Sequence, residues 1–214
     1  SRFRIWSKAL GTGRPFVVAA PSGAGKTSLV KALVDTSPNI KVATSHTTRP
    51  KRANEVDKLN YFFVDEPHFL RMIENSEFLE WARVFGFLYG TSKKEADRIL
   101  TGGDHLILEI DWQGTAQIRL EVPHATTIFI LPPSLGSLRD RLQQRAQDDQ
   151  HTVDQRMSAA IDEISHYMDF DYLIVNDDFD QALSEMGAVV SGQGDHLRQA
   201  AQRRKLAPLI SALQ

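Results

Sequence analysis

An apolar run, Phe16-Val17-Val18-Ala19, ends in Ala20-Pro21-Ser22-Gly23-Ala24-Gly25-Lys26-Thr27. Behind it, Leu29, Val30, Leu33 and Val34 recur at helical spacing. Strand, glycine-containing loop, Lys-Thr and amphipathic helix in this order form the context of a phosphate-binding loop. Gly23 and Gly25 lack Cβ, so the backbone can curl with its N–H groups turned toward anionic oxygens. The helix that follows adds its positive dipole end. Lys26 brings a full charge for β/γ-phosphates, and the Thr27 hydroxyl is a ligand for Mg²⁺. The strict pattern has Gly at its first position; here Ala20 stands there, small enough to keep the turn. The competing reading is a glycine-rich turn before an ordinary helix. The flanking strand and helix favour a nucleoside triphosphate site within an α/β core.

The 214 residues suffice for one α/β core with inserted subdomains. A net charge of −2 argues against a chain built to coat nucleic acid. Cysteine is absent, which excludes disulfides and thiolate metal sites and fits a reducing, cytoplasmic setting. No apolar run approaches the roughly 18 residues a membrane span needs. Ser1–Lys8 is basic and amphipathic but lacks a signal-like apolar region, so residues 1–14 read as an extension. The histidines show no metal-ligand spacing. Nothing in the pattern fixes the oligomeric state.

Strands are expected at Phe16–Ala20, Lys41–Ser45, Tyr61–Val64, His105–Ile110, Thr126–Leu131 and Tyr172–Val175. Helices are expected at Thr27–Asp35, Glu66–Asn75, Lys93–Leu100, Gly114–Leu120, Ser134–Ala146, Val153–Asp169, Phe179–Val190 and Asp195–Leu213, with Ser134 and Asp178 as N-caps. The alternation predicts a parallel sheet covered by helices. Two segments depart from it. Residues 45–91 read as polar turns, short strands and one helix, an insertion between core elements. Residues 134–157 carry Arg139, Arg141, Arg145 and Arg156 around Gln147-Asp148-Asp149-Gln150 and read as a mobile lid, or alternatively as a solvated helix face. The core is then 15–44, 92–133 and 158–214.

The insertion carries Arg49, Lys51 and Arg52 among hydroxyls, and Tyr61 and Tyr89 follow. Guanidinium groups suit bidentate capture of phosphate, and phenolic O–H groups can donate to the same dianion. A basic loop is more often simply solvated, but beside a triphosphate loop it points to a monophosphate acceptor site.

In order along the chain stand Ala20-Pro-Ser-Gly-Ala-Gly-Lys-Thr27, Ser45-His-Thr-Thr-Arg49-Pro-Lys-Arg52, Glu55-Val56, Tyr61-Phe-Phe63, Phe78-Leu-Glu80-Trp81-Ala82, Tyr89-Gly90-Thr91, Ile110-Asp111-Trp-Gln-Gly114 and Ile174-Val-Asn176-Asp-Asp178. Together these motifs resemble those of the guanylate kinases, P-loop nucleoside monophosphate kinases, over nearly the whole chain. The resemblance implies Mg²⁺-dependent phosphoryl transfer from ATP to GMP, with dGMP a second acceptor, in purine nucleotide metabolism. It implies a P-loop kinase core with an inserted GMP-binding subdomain and a helical lid. It implies ATP contacts from Ala20, Pro21, Ser22, Gly23, Ala24, Gly25, Lys26, Thr27, Ser28, Arg141 and Asn176. Arg49, Arg52, Tyr61 and Tyr89 match the positions that hold the GMP phosphate; Ser45, Glu80 and Thr91 match those that read guanine. Glu109 and Asp111 lie near the guanine site by the same resemblance. Arg141, Arg145 and Arg156 match arginines that close over the transferring phosphates, so Lys26, Arg49, Arg145, Arg156 and Asp111 are the expected catalytic groups.

The chemistry agrees with the Glu80 assignment. Guanine presents two donors, N1–H and the 2-amino group, to a carboxylate, whereas adenine presents an acceptor at N1. Such polar mismatches discriminate by about 10⁴-fold or more. Without the resemblance, Glu80 reads as a solvated strand-edge carboxylate; Glu109 and Asp111 read as strand-end carboxylates able to organise Mg²⁺ or its waters, with an acidic cap as the alternative; and a cap on a strand–helix turn is an equal reading of Asn176. The sequence departs from the family at Ala20, Asn54 and Ala146, where Gly is usual, and at Glu109, where Asp is common; Asn54 is expected to keep its turn by tolerating a left-handed conformation. Two other classes remain in view: a non-catalytic guanylate-kinase-like module that binds proteins, and a P-loop kinase for another acceptor.

Overall fold

The computed structural model describes residues 13–145 and 150–214, with only the backbone for Arg145, Gln150 and His151. The basic start Ser1–Lys8, nearly all of the expected extension, and Ala146–Asp149 of the expected lid loop lie outside the described residues. The described strands are β1 (Pro15–Ala19), β2 (Ile40–Val42), β3 (His46–Thr47), β4 (Phe62–Phe63), β5 (Phe78–Val84), β6 (Phe87–Ser92), β7 (His105–Glu109), β8 (Thr126–Leu131) and β9 (Tyr172–Val175). The α-helices are α1 (Lys26–Thr36), α2 (Glu66–Glu74), α3 (Lys93–Thr101), α4 (Trp112–Glu121), α5 (Leu135–Arg145), α6 (Gln150–Ser165), α7 (Phe179–Val190) and α8 (Gln199–Leu213). Two compact units emerge. Among the described residues, one takes Gly13–Phe16 and Pro38–Ala125, and the other takes Val17–Ser37 and the chain from Thr126 on.

A five-stranded sheet runs in the order β2-β7-β1-β8-β9, with β2–β7 and β8–β9 parallel. Every residue of β1 is buried, as a strand covered on both faces demands. In the second unit, Asp171 ties β8 to the turn before β9. Its carboxylate accepts from the Thr127 backbone N–H at 2.8 Å and the Thr127 hydroxyl at 2.9 Å.

A second sheet, within the first unit, has the order β4-β3-β6-β5. Its two faces differ in chemistry, and strand pairing explains why. His46 pairs with Phe62 and Gly90; the residues that share its face include Phe78 and Leu88. His46 stacks on Phe62 at 4.6 Å and meets Phe78 edge-on at 5.6 Å. Phe69 and Met72 of α2 close this cluster with Phe78 and Leu88. Asp65 caps α2, accepting from the His68 N–H at 2.7 Å. The other face carries Ser45, Thr47, Tyr89, Thr91 and Glu80. Phe78 and Glu80 are two residues apart and would share a face in a regular strand. A bulge intervenes: Phe78 pairs with Ser92 and Glu80 with the adjacent Thr91. The extra residue sends Phe78 to the apolar face and Glu80 to the polar one.

The sequence reading needs several corrections. The strand expected at Lys41–Ser45 is shorter, Ile40–Val42, and His46–Thr47 pairs in the other sheet. The insertion holds a hairpin of seven and six residues, longer than the short strands expected. The expected helix to Asp169 ends at Ser165 and tightens into a 3-10 turn over His166–Asp169. The C-terminal helix starts at Gln199, because Arg198 is extended and bridges Tyr172. Asn54 is not among the left-handed non-glycine residues of the described chain, which are Lys58, Ser76 and Phe85, and the Arg52–Glu55 turn closes through the Glu55 N–H and Arg52 carbonyl at 3.1 Å. Ser134 and Asp178 do cap α5 and α7, accepting from Ser137 and Gln181 N–H groups at 3.0 and 2.8 Å.

Phe69 is fully buried between α2 and the sheet, stacked on Phe78 at 4.3 Å. Phe69→Ala is expected to lower stability by about 3–5 kcal/mol, read as a shift of the urea midpoint.

Candidate functional site: a triphosphate loop and a polar sheet face

The loop after β1 lies in the second unit. Gly23 and Gly25 have φ of 91° and 94°, in the region that favours glycine. Pro21 and Ala24 are buried; Ala20, Ser22, Gly25 and Lys26 are half-buried; Thr27 and Ser28 are exposed at the first turn of α1. Gly25 is the helix N-cap, with no side-chain cap and no acidic residue in the first turn. The positive end of the α1 dipole is thus met by no side-chain cap and no acidic side chain of its own first turn.

Asn176 sits beneath this loop. It is 5% exposed, and its Nδ2 donates to the Ala24 carbonyl at 2.7 Å. Its own carbonyl accepts from Arg141 Nη2 at 3.1 Å, while Arg141 Nη1 is buried with no partner among the described residues. Asn176 therefore braces the loop from strand β9, and Asp178, not Asn176, caps the next helix. A Cβ on Gly25 would stand 2.3 Å from the Asn176 Nδ2. Arg139 on α5 and Asp154 on α6 pair at 2.8 Å, joining the two helices through a partly exposed ion pair. Arg156 is half-buried.

The first unit holds the other set. Glu80 is 4% exposed, and its Oε1 accepts from the Thr91 N–H at 2.8 Å. The solvated-edge reading of Glu80 is thereby excluded. Ser45 and Thr91 hydroxyls lie 3.2 Å apart on the same face. Tyr61 and Tyr89 meet edge-on at 6.0 Å, and burial pushes the Tyr61 phenol up, keeping it a donor at neutral pH. The Arg49 guanidinium lies over the Tyr61 and Phe63 rings at 5.6 and 5.9 Å. Arg52 is exposed. Glu109 is half-buried at the end of β7. Asp111 is the cap of α4: its Oδ1 accepts from the Gly114 N–H at 2.9 Å. The cap reading of Asp111 therefore holds for that oxygen, while Oδ2 receives Gln113 Nε2 at 3.2 Å.

Sequence reasoning gave Glu55 no role, yet it organises the basic loop. Its Oε1 accepts from Arg49 Nη2 at 2.6 Å, and its Oε2 accepts from the Arg52 N–H at 2.8 Å. Arg49 Nη1 donates to the Pro50 carbonyl at 2.8 Å. The side chains of Arg49 and Glu55 are 12% and 13% exposed. The Arg49 hydrogen bond holds Glu55 below the ordinary carboxylate value, and Glu55 in turn raises Arg49. The available signal was the spacing: Glu55 is the carboxylate nearest in sequence to Arg49 and Arg52.

A family model described as guanylate kinase matches residues 12–193. The chain belongs to the guanylate kinase family. It is 50% identical to the guanylate kinase of Pseudomonas fluorescens over 202 residues, covering 94% of this chain and 97% of that one. It is 55% identical to that of Saccharophagus degradans over 179 residues, covering 84% and 87%. The crystal structure of guanylate kinase from Anaplasma phagocytophilum superposes with a TM-score of 0.70 at 31% identity, covering 86% of this chain and 88% of that one. The α/β fold with a parallel sheet flanked by helices is that of the family's P-loop kinases.

Two outcomes are expected from this geometry. Gly25→Ala forces a left-handed Ala costing about 1–2 kcal/mol and drives its Cβ against Asn176, so the melting temperature drops and triphosphate affinity falls with it. Glu55→Gln removes the charge that holds Arg49. Because Glu55 is depressed in the folded state, its stabilisation is present above its unfolded value and disappears as pH falls through the lower folded one. The stability gap between wild type and Glu55→Gln, measured by urea titration, should therefore close below pH 4.5.

Proposed function

We propose that this chain transfers the γ-phosphoryl group of Mg·ATP to GMP, giving ADP and GDP, and accepts dGMP as well. Membership of the guanylate kinase family supports this reading, and the observation that carries it is the buried Glu80 carboxylate on the polar sheet face. Its other functional partners there, Ser45 and Thr91, present hydroxyls beside it. Guanine offers that carboxylate two donors; adenine offers a lone pair. Arg49, Arg52, Tyr61 and Tyr89 take the acceptor phosphate in this reading, with Glu109 and Asp111 beside the base.

The acceptor phosphate is already an anionic nucleophile. Its oxygen bonds the γ-phosphorus as the bond to the ADP oxygen breaks, so positioning and charge neutralisation replace a general base. Ala20–Ser28 hold the triphosphate. Lys26, with Arg141, Arg145 and Arg156, neutralises the charge of the transferring group. The donor set suits Mg²⁺ carried in with the nucleotide: among the described residues no cluster of carboxylates or imidazoles gathers for a metal, and the Thr27 hydroxyl is exposed at the loop. Held there by Thr27 together with the nucleotide, Mg²⁺ would offset the negative charge of the transferring group.

The division proposed is a core of 15–44, 92–133 and 158–214, a GMP-binding insertion at 45–91 and a lid at 134–157. Water must be excluded during transfer, which is the use of such a lid. No helix among the described residues is long and apolar enough to cross a membrane. The cysteine-free composition supports a cytoplasmic setting. Retention of Gly25-Lys26-Thr27 speaks against a non-catalytic protein-binding module.

A coupled assay of ADP release with GMP, dGMP, AMP and UMP tests the reading. Turnover is expected with the two guanine nucleotides. Turnover with none of them would favour the binding module, and preference for AMP or UMP would favour another kinase. Lys26→Ala should reduce kcat by about 10²-fold or more at unchanged melting temperature. Glu80→Gln should erode the preference for GMP over AMP while KM for ATP holds; equal loss for both substrates would make Glu80 structural.

A further inference from the structure

Helix α4 reaches the Glu80 region through two side-chain positions to which the catalytic reading assigns no task. The first is Gly114, buried in the first turn of α4. A Cβ built there would lie 2.6 Å from Glu80 Oε2 and 3.3 Å from the Ile110 Cβ. The severe encounter is with the end of one flexible side chain, so any larger residue displaces the carboxylate before it disturbs the backbone. The second is Gln117, one turn further along. Its Oε1 accepts from the Trp81 N–H at 3.1 Å, and its Nε2 donates to the Trp81 carbonyl at 2.6 Å. Strand β5 is an edge of its sheet, and Trp81 directly follows Glu80. The Gln117 amide therefore supplies the pairing a neighbouring strand would give, at the residue beside the carboxylate.

Both positions hang from one cap. Asp111 accepts from the N–H of Gly114 itself, and its carbonyl accepts from the Thr115 hydroxyl at 2.7 Å. On its other side, Glu80 is fixed by the Thr91 N–H and by the bulge that turns it to the polar face.

We infer that α4 is a specificity element of the acceptor site: Gly114 sets where the Glu80 carboxylate stands, and Gln117 anchors the strand that carries it. This rests on the reading of Glu80 as the guanine-recognising group. Neither residue is a catalytic group; both are positioning residues, controlling which monophosphate binds rather than how fast the phosphoryl group moves.

The test is steady-state kinetics with GMP, AMP and ATP on the wild type, Gly114→Ala, Gln117→Leu, Glu80→Asp and the double variant Gly114→Ala/Glu80→Asp. Gly114→Ala should raise KM for GMP about tenfold or more, since small misplacements of binding groups are costly, while KM for ATP stays within about twofold of wild type. Its melting temperature should not fall, because Ala favours a helix over Gly. Asp is shorter by one methylene and withdraws from the added methyl group. The double variant should therefore bind GMP better than the two single effects added together predict. Gln117→Leu should raise KM for GMP, reduce the preference over AMP and speed hydrogen exchange at the Trp81 N–H. Additive losses in the double variant, or equal losses for GMP and ATP, would overturn the role of Gly114. An unchanged GMP-to-AMP ratio in Gln117→Leu would overturn that of Gln117. A wild type that does not phosphorylate GMP would refute the acceptor reading itself, a result distinct from an active wild type with indifferent variants.

Discussion

The Glu80 carboxylate, buried to 4% exposure and held by the Thr91 N–H at 2.8 Å, is the constraint on which the four-stranded sheet of the first unit depends. A buried carboxylate without partners is costly, and donors left waiting for a ligand are costly too. The chain meets this with a two-faced sheet. One face buries Phe78, Leu88, Phe69 and Met72. That apolar support lets the opposite face stay polar without collapsing. The bulge between Phe78 and Glu80 makes the division possible, since regular alternation would put both on one face.

The loop after β1 follows the same economy with different parts. It holds left-handed glycines and a helix start without a side-chain cap, neither of which stabilises a free chain. Asn176 offsets this from below through the Ala24 carbonyl, and Leu138 and Leu142 of α5 pack within 3.1–3.2 Å of where a Gly23 Cβ would be. In each unit, one residue braces another: Asn176 holds the Gly23–Gly25 loop, and Glu55 holds Arg49.

What the sequence made legible is what local pattern encodes. The apolar run into Gly23-Ala24-Gly25-Lys26-Thr27 announced β1, the loop and α1 because all three lie within one stretch of chain. The alternation of strands and helices announced the parallel sheet. The β5–β6 hairpin was less legible, because its bulge breaks the period of two that marks a strand. The bracing role of Asn176 depends on a contact with Ala24, far away in sequence, which no local pattern carries. Asp111 illustrates a different limit: a carboxylate at a strand end can serve as ligand or as cap, and the Gly114 N–H occupies one of its oxygens. The burial of Glu80 was likewise invisible, since a Glu between Leu79 and Trp81 has the spacing of an exposed edge residue.

The central claim is that the Glu80 carboxylate reads the donor edge of a purine. Calorimetric titration of the protein with GMP, IMP and AMP, without ATP, tests it most directly. GMP offers both donors, IMP keeps N1–H alone, and AMP offers an acceptor at N1. The account predicts affinity in the order GMP, then IMP, with AMP the weakest by orders of magnitude. AMP binding as tightly as GMP would contradict it.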